Sequence, residues 1–90
     1  MTTIIDQHAR RTNADFLIFT TSFCPYCTAA MRFLDNLNRT WEEVNLDTEP
    51  EILNEIKQIT EHRTVPIILD LTKETPLFIG GFDQLRPYLS

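Results

Sequence analysis

The sequence predicts an α/β domain on a four-stranded mixed sheet flanked by helices, and three observations predict it. In the first half, apolar strand-like runs alternate with helical patterns, which makes the first two strands parallel. In the last third, two apolar runs flank a short polar turn, a hairpin signal. The 90 residues, 42% hydrophobic and 23% charged, suit a single domain over 1–90 with one core, of which 1–13 form a leading helix or extension.

Thr3 to Arg11 predicts a short helix, with Thr3 as N-cap and Ile4, Ile5 and His8 on one side. His8 is then a partly covered helix residue. Phe16-Leu17-Ile18-Phe19 is apolar without alternation, which suits a central strand buried on both faces. The polar Thr20-Thr21-Ser22 follows and leads into a helix on which Cys27, Ala30, Met31 and Leu34 keep the i, i+3, i+4, i+7 spacing. Met31 is expected in the core. Trp41 to Asp47 predicts the second strand, with Val44 and Leu46 on one face. Thr48 or Glu49 with Pro50 opens a helix carrying Ile52, Ile56 and Ile59 inward. The hairpin pairs Val65-Pro66-Ile67-Ile68-Leu69 with Pro76-Leu77-Phe78-Ile79 around Thr72-Lys73-Glu74-Thr75. This arrangement brings Pro66 and Gly80 to one end of the sheet, near Cys24, and sends Lys73 to the other. Gly80 and Gly81 are the chain's only glycines and stand just before a terminal helix that Pro87 is expected to end early.

Cys24-Pro25-Tyr26-Cys27 places the two cysteines one helical turn apart where strand gives way to helix. That is the spacing of a reversible disulfide. A thiolate is the attacking species, and a cysteine at a helix N-terminus sees unpaired N–H groups and the positive end of the helix dipole, which lower its pKa. Cys24, just outside the helix, is assigned as nucleophile and Cys27, in its first turn, as resolving thiol. Pro25 at the first helical position costs no hydrogen bond. A zinc site would need four ligands, and beyond this pair only His8 and His62 remain, so no metal is expected. A purely structural bridge would close too small a loop to constrain the unfolded chain much.

The formal charge of −5 comes mostly from Glu42, Glu43, Asp47, Glu49, Glu51 and Glu55, read as a solvated face, while the arginines are scattered. With no basic stripe, nucleic-acid binding is not expected, and no apolar run at the start has signal-peptide length. A cytosolic monomer without membrane association is expected, where reducing conditions favour catalysis over permanent bridging.

Cys24-Pro25-Tyr26-Cys27, then Arg63-Thr64-Val65-Pro66, then Ile79-Gly80-Gly81-Phe82-Asp83 resemble, in order, the three segments that mark dithiol glutaredoxins. Gly80 to Arg86 is also similar to the C-terminal segment of small glutaredoxins of tailed bacteriophages, which would place the protein in a host cytoplasm. The resemblance implies a thioredoxin fold with a cis peptide bond at Val65-Pro66 facing the cysteines. It further implies glutathione as reductant, with no permanently bound cofactor. Tyr26 would flank the bound sulfur, and Val65, between Thr64 and Pro66 of the same glutathione site, would offer its backbone N–H and C=O to glutathione's cysteinyl part in a one-residue β-augmentation. Gly81, Phe82 and Asp83 would receive the γ-glutamyl end. The implied partners are disulfide-containing or glutathionylated proteins, a ribonucleotide reductase among them by family analogy.

Two departures from the family pattern stand out. Thr21 occupies the usual place of a lysine and Leu53 that of a glutamine or arginine, both of which commonly hold glutathione's glycine carboxylate. Losing one charge-assisted contact of about 1.5–3 kcal/mol weakens binding about ten- to a hundredfold unless Lys57 or Arg63 substitutes. The same loss predicts a Cys24 thiol less acidified than where the lysine is present. Two alternatives therefore remain open: a redoxin recharged by thioredoxin reductase, and an iron–sulfur cluster carrier, against which Pro25 counts.

Overall fold

The computed structural model describes residues 4–60 and 64–89. In chain order they form α1 (Ile4–Arg11), β1 (Phe16–Thr20), α2 (Pro25–Asn36), β2 (Trp41–Asn45), α3 (Pro50–Thr60), β3 (Ile67–Asp70), β4 (Leu77–Gly80) and α4 (Phe82–Tyr88). The strands make one mixed sheet in the order β2-β1-β3-β4, with β1 parallel to β2 and antiparallel to β3, and β3 antiparallel to β4. Thr3, His62 and Arg63, to which the sequence assigns a cap, a spare ligand and a substitute cation, lie outside the described residues.

β1 is central, and all five of its residues are buried, as an unbroken apolar run requires. Its two faces build two cores. Leu17 and Phe19 pack with Ile5, Val44, Leu46, Ile52, Ile56, Ile67 and Leu69 under α1 and α3. Phe16 and Ile18 pack with Ala30, Leu34, Ile68 and Leu85 under α2 and α4. Met31 is only partly buried against that second core. His8 lies edge-on to Phe19, with ring centroids 6.2 Å apart, and its Nδ1 is 3.9 Å from a Glu42 carboxylate oxygen.

The structure corrects four details of the sequence reading. β2 ends at Asn45 rather than Asp47, because the Asn45 side-chain oxygen accepts the Asp47 N–H at 2.9 Å and its carbonyl accepts the Thr48 N–H at 3.2 Å, which turns the chain. Ile59 is 41% exposed, since the buried stripe of α3 is held by Ile52 and Ile56. β3 starts at Ile67 and runs to Asp70, two residues later than the apolar run begins and one later than it ends. Pro87 sits inside α4, which continues to Tyr88 with Leu89 N–H donating to the Leu85 carbonyl at 3.2 Å.

The last turn of α4 is anchored from below. Asp70, 3% exposed at the end of β3, accepts hydrogen bonds from Thr72 N–H at 2.8 Å, Thr72 Oγ1 at 2.5 Å and Tyr88 Oη at 2.5 Å. Burial alone would raise the carboxyl's pKa, but the Thr72 and Tyr88 hydrogen bonds and the Lys73 charge outweigh it and hold the group below its ordinary value. Accepting that proton-bearing hydroxyl keeps Tyr88 protonated: its pKa is raised by the bond to Asp70, then by burial and the Asp70 charge. The Asp70 contribution to stability is therefore present above the unfolded carboxylate value of about 4 and disappears as pH falls through the lower folded value. The Tyr88 contribution is present below about 10 and is lost as pH rises through its raised folded value. Tyr88→Phe is expected to cost about 1 kcal/mol at neutral pH, less than a buried bond to a charged acceptor because Tyr88 is partly exposed. Denaturant unfolding from pH 7 to pH 2 checks this, and parallel curves for the two proteins would refute it.

Candidate active site

The site sits where β1 and β2 end and β3 begins. Cys24 caps α2 from extended backbone, φ −138° and ψ 96°, with Pro25 at the first helical position. Its carbonyl accepts Cys27 N–H at 3.1 Å and Thr28 N–H at 3.2 Å. Its Sγ accepts the Cys27 N–H at 3.1 Å, so an orphan donor of the helix terminus points at the sulfur. This contact favours negative charge on Sγ once the bridge is reduced.

Cys24 and Cys27 are joined as a disulfide with Cα atoms 5.2 Å apart. The two sulfurs are not equally accessible: Cys27 is 2% exposed and belongs to the buried stripe of α2, whereas Cys24 is half-buried. An incoming group meets Cys24 first.

Across from the bridge, the Val65-Pro66 peptide is cis and the Val65 carbonyl oxygen lies 3.8 Å from Cys24 Sγ. Beside it opens a cavity of about 460 Å³ lined by Tyr26, Thr64, Val65, Pro66, Gly81, Phe82, Asp83 and Gln84. All seven residues that the sequence sets beside the cysteine pair thus share one cavity. Gln84 was missed, although its place three residues after Gly81 is capping-box spacing. Its Oε1 accepts the Gly81 N–H at 2.8 Å and fixes the entry to α4. Gly80 has φ +126°, a backbone conformation that favours glycine, and a Cβ there would stand 2.9 Å from that same oxygen.

The departures are also placed. Thr21 is half-buried, and Leu53 packs against the first core instead of presenting a polar group. Ser22 N–H donates to an Asp47 carboxylate oxygen at 2.8 Å, which ties the loop before Cys24 to the turn after β2. Asp47, and Phe23 with 97% exposure, were not singled out as site residues from the sequence. No local pattern distinguishes an acidic turn residue that reaches across to another loop.

A four-stranded mixed sheet in this order, with a cysteine pair at the N-terminus of the helix after its central strand and a cis-proline opposite, defines a thioredoxin fold of the dithiol type. The glutaredoxin family profile matches residues 16–69. A glutaredoxin of Neisseria meningitidis serogroup A is 38% identical over 69 residues, covering 76% of each protein. One from Ricinus communis is 37% identical over 68 residues, covering 72% of this chain, while the chain spans only 58% of that relative's length. Among solved structures, a buckwheat glutaredoxin–glutathione complex superposes with a TM-score of 0.75 at 25% identity, over 92% of this chain and 76% of that one. The chain belongs to the glutaredoxin family.

Proposed function

We propose that the protein is a glutathione-dependent thiol–disulfide oxidoreductase acting through Cys24 and Cys27. The observation that carries this reading is the Cys24–Cys27 bridge at the start of α2, with Cys24, the less buried of the pair, placing its sulfur 3.8 Å from the carbonyl of Val65, which lines an open cavity. In the reduced protein, the Cys24 thiolate attacks one sulfur of a substrate disulfide and expels the other as a thiolate, which takes up a proton. Cys27, after losing its proton, attacks Cys24 Sγ, releases the second substrate thiol and leaves the Cys24–Cys27 bridge. Two electrons have passed to the substrate. Two glutathione molecules return them: the first opens the bridge at Cys24, and the second releases glutathione disulfide.

For a glutathionylated substrate, Cys24 alone suffices. Glutathione would lie in the 460 Å³ cavity, pairing its cysteinyl backbone with Val65 and directing its γ-glutamyl carboxylate to the N-terminus of α4 at Phe82 and Asp83. Tyr26, 64% exposed, would flank its sulfur, with Thr64, Pro66 and Gly81 completing the walls. Its glycine carboxylate would meet neither a lysine at position 21 nor a polar side chain at position 53. Affinity lower than in relatives bearing those groups follows. We take the protein to act as a monomer in the cytosol on disulfide-containing or glutathionylated proteins.

The test follows NADPH consumption with a disulfide substrate, supplying either glutathione with glutathione reductase or thioredoxin reductase alone. Turnover with glutathione only is expected. Turnover only with thioredoxin reductase would overturn the glutathione reading in favour of a redoxin whose glutathione site is a relic.

A further inference from the structure

The described segments gathered around the bridge, residues 20–28, 45–51, 64–67 and 80–84, contain Asp47, Glu49, Glu51 and Asp83 and neither lysine nor arginine. Arg63, next to them in sequence and outside the described residues, offsets at most one of these four. At the other end of the sheet Arg39, 5.1 Å from the ring centroid of Phe16, and Lys73 in the hairpin turn stand among Asp15, Asp70 and Glu74, whereas Arg86 reaches back to 5.8 Å from the ring centroid of Phe82 at the cavity. Of the four carboxylates, Asp47, Glu49 and Glu51 follow β2, at the sheet edge opposite β4, and Asp47 ties their turn to the loop before Cys24, so the negative charge gathers on that side of the bridge.

The same end displays two aromatic rings. Phe23, immediately before the nucleophile, is 97% exposed and Tyr26, between the cysteines, is 64% exposed. An apolar ring so fully in water next to a reactive bridge gains area only when something lies against it. The Asp47 carboxylate accepts the N–H of Ser22, the residue directly before Phe23, at 2.8 Å.

We propose that the preferred substrate is a polypeptide disulfide whose cysteine is flanked by lysine or arginine, with Phe23 and Tyr26 contacting the chain around the sulfur and the surrounding carboxylates drawing it in. This rests on the exchange chemistry proposed above and adds its substrate class. A field of one sign around a cleft raises encounter rates with oppositely charged partners by about ten- to a thousandfold, and rim charges act mainly through the association rate. An acidic segment meets like charge at the bridge and is turned away.

The experiment is a single-turnover reaction of pre-reduced protein with two synthetic peptides, each closed by one disulfide, identical except that lysines flank the cysteines in one and glutamates in the other. Starting from reduced protein removes any dependence on glutathione. At about 0.01 M salt, where the Debye length is about 30 Å, the lysine peptide is expected to react about tenfold faster. At about 1 M salt, where it is about 3 Å, the gap closes. Glu49→Gln with Glu51→Gln narrows the gap about threefold and leaves the rate with an uncharged small disulfide unchanged. Phe23→Ser slows both peptides alike, because the ring reads apolar contact and not charge. Equal rates at low salt, or a gap indifferent to salt, overturn the charge selection while leaving the exchange chemistry standing. Failure to reduce either peptide or the small disulfide overturns both.

Discussion

Replacing Cys24 with serine is expected to abolish exchange with every substrate, a loss on the order of a thousandfold or more, as follows from removing a covalent nucleophile. Cys27→Ser is expected to divide the activities instead. Reduction of a glutathionylated substrate survives, because Cys24 can take up the glutathione and a second glutathione can remove it. Reduction of an intramolecular protein disulfide is lost, because no second thiol remains to resolve the mixed disulfide. The asymmetry follows from burial: Cys27, 2% exposed, is reached by Cys24 but not by a substrate, while Cys24 is only half-buried. Assays of both substrates with both variants decide the matter. Equal losses in the two variants would refute the assignment of roles.

The largest effect on stability is expected at Phe19. It is wholly buried, packs among Ile5, Leu17, Val44 and Ile67 in the core under α1 and α3, and meets the His8 ring edge-on. Phe19→Ala removes that ring from a site closed by strand neighbours on both sides, so the cavity has little means of collapsing and the cost is about 3–5 kcal/mol. Set against a total stability of about 5–15 kcal/mol, this removes at least about a fifth of it. Urea unfolding checks it; a loss below about 1 kcal/mol would mean that the core refills the space, contrary to the packing described.

Much of this structure was legible because the relevant signals are local. An apolar run without alternation marked β1, Pro25 marked the first turn of α2, and the polar tetrad around Lys73 marked the hairpin. The three ordered segments named all the cavity residues but Gln84. What stayed hidden depends on distant partners. Asp70 reads as a polar residue closing an apolar run, and nothing near it announces the Tyr88 hydroxyl 18 residues on. That same bond, with Leu85 buried in the core, holds the last turn of α4 where Pro87 alone would favour stopping. Ile59 continues the helical spacing of Ile52 and Ile56, but the sheet beneath α3 offers no further cover at its end, so the pattern overstates the buried stripe. The end of β2 turned on one asparagine's side chain choosing its own backbone over the ladder.

The position of β1 bears on which motions the chemistry can tolerate. Hydrogen-bonded to a neighbour on each side and shielded on both faces, it belongs to the part of the protein that opens only with global unfolding. β4, by contrast, is an edge strand with Leu77 and Phe78 substantially exposed, and it sits at the low-cost end of local opening. Fluctuations of β4, which pairs with β3 alone, therefore come and go without disturbing the strand that leads to Cys24. The reactive sulfur is thus tethered, through a short loop, to the best-protected strand of the sheet, while the cavity's opposite wall, carried by β4 and α4, retains the freedom to adjust to partners of different shape.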